Sequence, residues 1–433
     1  MKRIALETLR KWKTRPGHKP IIINGARQVG KTWLMKEFGR AEYKKTAYIM
    51  FEKNLRMQEL FAGDMDVRRI LTGLELETGE KINPKDTLIM FDEIQECPAA
   101  LTSLKYFNEN APEYDIAAAG NLLGVSLHPG TSFPVGKVEF MRLYPLCFSE
   151  FLLAMGEEQL KTLLDACDWE LIRVFKDKFT SYLKMYFYIG GMPEVVSEFS
   201  TGNDFNTARQ IQQRILDAYE QDFSKHIPTG HIQRVRQLWA SIPSQLAKEN
   251  KKFVFKEVQK GATVSTFETA LNWLESCGLI HKINRLSKAV QPIKGYENTG
   301  AFKLFLCDAG LLSAMAALDA KIILDGSALF TEFKGALTEQ YVCQEMKCFN
   351  NAEIAYWTNE GATAEIDFVV QLGSAIIPVE VKAATNLKAK SLPVYREKFH
   401  PKIEVRTSLA DYKKTENLLD IPLYALGRLP TIT

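Results

Sequence analysis

The sequence predicts an α/β fold built on a parallel sheet with crossover helices, followed by a second, smaller α/β region. Three observations carry that expectation. Compact apolar runs at residues 20–24, 46–51, 87–91 and 114–119 have the length and continuity of strands buried on both faces. Helical or loop stretches separate them, as crossover connections require. After about residue 325 a helical pattern over 333–346 gives way to strand patterns at 354–357, 365–371 and 375–381.

Composition sets the frame. A chain of 433 residues predicts roughly two to four domains. Its 46% hydrophobic and 25% charged residues are those of an ordinary globular protein with a sizeable core. The net charge of +3, from 55 basic against 52 acidic residues, neither demands nor excludes a nucleic-acid partner. Seven scattered cysteines without a CxxC give no disulfide framework and no zinc site, which fits a reducing compartment. The basic start meets Glu7, Arg10, Lys11 and Lys13 instead of an apolar core, so no signal peptide is read. No stretch reaches the roughly 18 apolar residues of a membrane span. The expectation is a cytoplasmic chain without membrane partners.

Taken in order, Ile4, Leu6, Leu9 and Trp12 among charges predict a short amphipathic helix. A strand at 20–24 leads into a glycine-containing loop, and residues 33–38 read as the helix leading out. From about 145 the character changes: residues 160–218 are helical in spacing, interrupted at Ile189-Gly190-Gly191-Met192-Pro193. Residues 226–292 follow the order of a winged helix, with a helix from Val264 to Leu274, a stop near Cys277-Gly278 and a β-rich Leu279–Ile283. Thr263, Ser265, Thr266 and Asn272 would approach a DNA backbone there, with Lys251, Lys252, Lys256 and Lys260 as phosphate contacts. The division predicted is 1–150, 151–225, 226–320 and 321–433.

Gly25-Ala26-Arg27-Gln28-Val29-Gly30-Lys31-Thr32 matches GxxxxGK[ST] at every fixed position, between a strand and a helix. Small residues let main-chain amides close around phosphates, and the helix N-terminus adds the positive end of its dipole. Lys31 would reach the β- and γ-phosphates, and the Thr32 hydroxyl would ligate Mg2+. The loop from Gly25 to Thr32, with Trp33 opening the helix, is therefore the predicted nucleotide contact. Thr87–Glu93 is an apolar strand ending in two acids, facing the crevice where open α/β sheets bind ligands. Asp92 would hold the magnesium shell, and Glu93 would polarise the attacking water. Arg142 or Lys137 would lend a charge to the transition state, or form an ordinary surface salt bridge.

Residues 24–32, Phe91-Asp92-Glu93-Ile94-Gln95, Ala118-Ala119-Gly120-Asn121 and Tyr144-Pro145-Leu146 before Phe148-Ser149-Glu150-Phe151 closely resemble a prokaryotic AAA-type ATPase family. The similarity runs over nearly the whole chain and includes Tyr188–Glu194. It implies ATP with Mg2+, a helical lid over 151–225, and a C-terminal domain of the restriction-endonuclease-like kind. The resemblance also makes Asn121, after the fourth strand, the expected sensor of the γ-phosphate. That family usually has Gly-Ser where this chain has Gly120-Asn121.

Asp367 in Glu365–Val370, followed by Glu380-Val381-Lys382, resembles the PD-(D/E)xK nuclease core. Asp367 and Glu380 would share a divalent metal, Lys382 would lie on the same strand face as Glu380, and Glu339 would be an additional acid. Acids alternating with Ile366 and Phe368 are equally ordinary strand patterning with one wet face. The leading expectation is an ATPase that couples ATP binding and hydrolysis to rearrangement of a C-terminal nucleic-acid-binding or nuclease-like region. The alternatives are a nucleotide-gated switch for a protein partner and an ATP-regulated, metal-dependent DNA nuclease. DNA, a protein partner and self-association are all compatible with the residues.

Overall fold

The structure is a computed structural model that describes residues 2–120, 134, 136–227, 229–248, 252–325, 331–361, 363–383 and 391–433. The described residues divide into two compact units, one within 2–144 with 276–278, the other within 145–275 and 279–433.

The first unit is a five-stranded sheet in the order β2-β3-β4-β1-β5, every pair parallel. Its strands are β1 (Ile21–Asn24), β2 (Lys45–Met50), β3 (Thr87–Asp92), β4 (Asp115–Ala119) and β5 (Glu139–Arg142). The helices are α1 (Ala5–Thr14), α2 (Lys31–Glu42), α3 (Leu55–Ala62), α4 (Val67–Thr78) and α5 (Pro98–Asn110). The first four strands lie where their apolar runs predict. Parallel strands covered by helices need apolar side chains on both faces, and β3 is buried at all six positions. Phe51, Phe61 and Phe91 pack edge to face at 5.4–5.6 Å in the core beneath α3. Side-chain caps fix the helix starts: Asn54 accepts from the Met57 amide and Asp66 from the Arg68 amide. The strand order puts β4 between β1 and β3, so the loops leaving β1 and β3 flank its C-terminal end.

The second unit contains an eight-stranded mixed sheet in the order β12-β13-β11-β10-β9-β8-β6-β7. Its strands are β6 (Ile280–Leu286), β7 (Glu297–Leu306), β8 (Glu353–Thr358), β9 (Glu365–Leu372), β10 (Ala375–Val381), β11 (Glu404–Ser408), β12 (Lys413–Thr415) and β13 (Leu418–Pro422). Strands β8, β9 and β10 are antiparallel neighbours, and β10 pairs parallel with β11. The hairpin β6–β7 sits where the wing of a winged helix was expected, yet Arg285 and Leu286 pair with Tyr356 and Trp357. The stretches expected as 226–320 and 321–433 therefore share one hydrogen-bonded sheet. A local window cannot reveal this, because the partner strand lies far along the chain. Thr263 Oγ1 lies 2.8 Å from Ser265 Oγ and 3.2 Å from Thr266 Oγ1 at the start of the helix Val264–Ser276. Lys252, Lys256 and Lys260 are exposed, and Lys251 lies outside the described residues.

The break at Ile189–Pro193 has a packing cause. A Cβ on Gly190 would fall 2.1 Å from Asp308 Oδ1, and one on Gly191 would fall 2.1 Å from the Leu146 carbonyl oxygen. Asp308 is buried and accepts from the amides of Gly191 (2.6 Å) and Leu311 (3.0 Å). The two glycines let three chain segments meet around one carboxylate.

Candidate functional site

Gly25 leaves β1 with φ +150°, and a Cβ there would stand 2.2 Å from the Leu143 carbonyl oxygen, so the loop closes only with glycine. Gln28 and Gly30 also take left-handed backbone, and Gly30 is the residue at which α2 starts. The amides at the head of α2 are thus presented at the end of β1, with the helix dipole behind them. Lys31 is buried, and its Nζ donates to the carbonyls of Gly25 (3.0 Å) and Ala26 (2.9 Å). Burial lowers the Lys31 pKa, and the charges of Glu93 and Asp92 act in the opposite sense. Thr32 is half-buried beside it and Trp33 is exposed.

Asp92 closes β3 at 1% exposure, accepting from Tyr48 Oη (2.8 Å) and the Glu93 amide (3.1 Å). Glu93 adopts φ +50°, a conformation that costs a non-glycine residue about 1 kcal/mol or more. Its carboxylate is held by Gln95 Nε2 at 2.5 Å. Gln95 in turn limits the end of β4, where a Cβ on Gly120 would be 2.3 Å from Gln95 Oε1. The expected sensor, Asn121, lies outside the described residues. Lys137 forms a salt bridge with Glu109 at 2.9 Å, and Arg142 is exposed on β5 opposite Asn24.

Four supporting residues received no such role in the sequence reading. Buried Arg3 donates to the Val29 carbonyl (3.1 Å) within the loop and to the Tyr144 carbonyl (2.7 Å). Gln95 and Tyr48 hold the two acids. Gly278 packs over the loop, its Cβ position 3.1 Å from the Ala26 nitrogen. The only prior signal was Gln95 following the paired acids; the others required the fold.

These residues fit a magnesium nucleotide. The loop is a cradle that a Cβ at Gly25 would fill, with an ammonium against it, and Thr32 with Asp92 forms an all-oxygen donor set suited to Mg2+.

The C-terminal acids are gathered differently. Asp367 on β9 accepts from the Val381 amide (2.7 Å), and Glu380 Oε1 on β10 accepts from Lys382 Nζ (2.7 Å). Glu380 Oε2 is buried without a hydrogen-bond partner among the described residues. Glu339 lies on the helix Thr331–Lys347. Lys303 on β7, fully buried, reaches within 2.5 Å of Glu365 Oε1 and 3.6 Å of Glu339 Oε2. Burial by itself would lower the Lys303 pKa, but Glu339, Glu365 and Asp367 together raise it. Burial pushes Glu380 up against the opposing pull of Lys382. Among the described residues no three His, Cys, Asp or Glu side chains form a group able to hold a metal ion. The Val381 amide and Lys382 take one oxygen each of Asp367 and Glu380, and among the described residues no third metal-ligating side chain joins them, so the structure gives no support to a shared metal there. No cleavage step follows from it.

Among the described residues no two of the seven cysteines form a disulfide. Among the described residues no helix is long and apolar enough to cross a membrane.

Family comparison agrees with the first unit. Residues 17–152 match the family model of an AAA domain, residues 180–322 a domain of unknown function (DUF8612), and residues 334–426 a second domain of unknown function (DUF4143). No curated protein matches the chain. Among solved structures, a Walker-type ATPase of Pyrococcus abyssi is similar at 13% identity and TM-score 0.45, over 72% of this chain and 94% of that one. The Aeropyrum pernix ORC1 protein in complex with DNA is similar at 11% identity and TM-score 0.28, over 72% and 91%. Likenesses this distant carry no functional argument. What carries weight is the match of residues 17–152 to the model of an AAA domain, together with the loop that joins β1 to α2.

Proposed function

We propose that the chain binds ATP with Mg2+ between the loop Gly25–Thr32 and the acids Asp92 and Glu93, and hydrolyses it. The observation that carries this reading is the convergence of Lys31 with both acids at the C-terminal ends of β1 and β3. Lys31 turns from the loop carbonyls to the β- and γ-phosphates, while the amides heading α2 hold phosphate oxygens. Thr32 and Asp92 hold Mg2+, which when bound neutralises charge on the phosphates. Glu93, oriented by Gln95, accepts a proton from the attacking water. Lys31→Ala should lower ATP turnover by about 10²-fold or more; undiminished hydrolysis would reject the assignment.

Hydrolysis would reposition the C-terminal unit, which serves in this reading as a binding module and not as a cutting one. The support is the set of ammonium groups already seated on its acids. Plasmid DNA should therefore stay intact with Mg2+ or Mn2+, in wild type as in Asp367→Ala. Metal-dependent cutting that Asp367→Ala abolishes would restore the nuclease alternative.

A further inference from the structure

We propose that the ATPase unit carries a groove for a single nucleic-acid strand, walled by α2 and β2 and linked to Asp92 through Tyr48. The groove has a volume of about 470 Å³ and its charged lining is wholly basic: Lys36 and Arg40 from α2, Lys44 from the turn, and Lys45 from β2, with Tyr43 and Tyr48. The four cations are exposed and the two tyrosines are half-buried. Three of these cations pair with acids at the rim, and behind the lining Asp115 and Asp92 accept from the Tyr43 and Tyr48 hydroxyls. Glu37 meets Arg40 at 2.5 Å, Glu80 meets Lys45 at 3.2 Å and Asp86 meets Lys44 at 3.9 Å. Exposed pairs of this kind hold weakly, so a row of phosphates displaces them.

The plainer reading is that lysines blunt the edge strand β2 against pairing with another chain. It accounts for Lys45 alone. Three of the four cations lie off the strand and converge on the recess, and edge protection has no use for what lies at its floor. There Lys36 Nζ sits 3.9 Å over the Tyr48 ring, and Tyr48 Oη donates to Asp92 Oδ2 at 2.8 Å. A phosphate drawing Lys36 away, or a base stacking on Tyr48, changes the hydrogen bond on the acid that closes β3. Strand binding is thereby coupled to the nucleotide site. A recess suits one strand, whose backbone and unstacked bases can enter it; the rigid cylinder of a duplex cannot.

Binding to the groove stands without the hydrolysis proposed above; the coupling rests on it. Fluorescein-labelled oligothymidylate should bind the full chain in anisotropy titrations, more weakly as NaCl rises from about 50 to about 200 mM. The combined variant Lys36→Ala/Lys44→Ala/Lys45→Ala should bind at least tenfold more weakly. Its log K against log[salt] slope should be shallower by about 2, at roughly 0.7 per lost single-strand phosphate contact. Lys44→Ala/Lys45→Ala should keep the basal ATPase rate, which reports an intact fold. Absent binding in wild type, an unchanged affinity and slope in the triple variant, or a duplex that competes as well as the single strand would overturn the groove. Tyr48→Phe should bind oligothymidylate within twofold of wild type yet lose its stimulation of ATP turnover. Stimulation equal to wild type would overturn the link to Asp92. Oligothymidylate binding without any ATP turnover in wild type would overturn the coupling and the hydrolysis reading but leave the groove standing.

Discussion

Two buried lysines, one in each unit, show opposite ways of keeping a charge inside a protein. Lys31 rests on two carbonyl oxygens, with both acids acting on it only through space, and its pKa falls. Lys303 is buried more completely, yet it lies among carboxylates and its pKa rises. Desolvation alone would push both the same way. Partners decide the sign. An ammonium held by neutral carbonyls keeps its attraction for an incoming phosphate, whereas one ringed by acids has already spent it on the fold. A third buried group marks the other extreme. Among the described residues no cation sits on Glu345; it accepts from the Phe148 amide at 2.6 Å, and burial, with Glu150 nearby, pushes its pKa up to about 8.

The comparison breaks most easily at Lys303. Lys303→Met removes the buried cation and leaves buried Glu339 and half-buried Glu365 without it, which should cost about 3–5 kcal/mol in urea unfolding. A loss under about 1 kcal/mol would mean that these acids are not held by Lys303.

Glu345 gives the next effect, with a defined sign. An acid with an ordinary value of 4.5 outside the fold and about 8 inside it binds more protons folded than unfolded across that window. Stability therefore falls as pH rises from about 4.5 to about 8. Glu345→Gln keeps an acceptor for the Phe148 amide and should flatten that fall, making the variant more stable than wild type near pH 8. Parallel stability profiles for the two proteins would show that Glu345 does not titrate in this way.

The smallest effect expected is at Gln95. Gln95→Ala frees the Glu93 carboxylate while leaving loop and magnesium ligands in place, so kcat should drop about tenfold with KM little changed. A raised KM with kcat unchanged would place Gln95 in binding instead.

How much of this was legible beforehand follows from how local each feature is. The first four strands, the loop Gly25–Thr32 and the acids Asp92 and Glu93 are written in contiguous residues, because a parallel strand and a phosphate loop each impose their pattern on a short window. Strands β8, β9 and β10 and the helix bearing Glu339 were legible for the same reason; β11, β12 and β13 were not read. The partners of those acids were not. Lys303 reads as one lysine in an apolar run, and its environment comes from Glu339, Glu365 and Asp367, each on another element. The hairpin β6–β7 read as a wing because its own sequence says only that two strands are joined; which strand lies beside β6 is set by pairing across some seventy residues. Arg3 likewise looked like part of a basic start and proved to brace the loop through the Val29 carbonyl.

By itself, then, the sequence determined the parallel core, the phosphate loop and the residues at its mouth, since each is a matter of local backbone geometry and strand burial. Only the tertiary structure decided which buried charges remain available and which are neutralised, and that a basic recess backs onto Asp92. Electrostatic energy depends on separation in space and on exclusion of water, and neither quantity exists until distant segments have packed together.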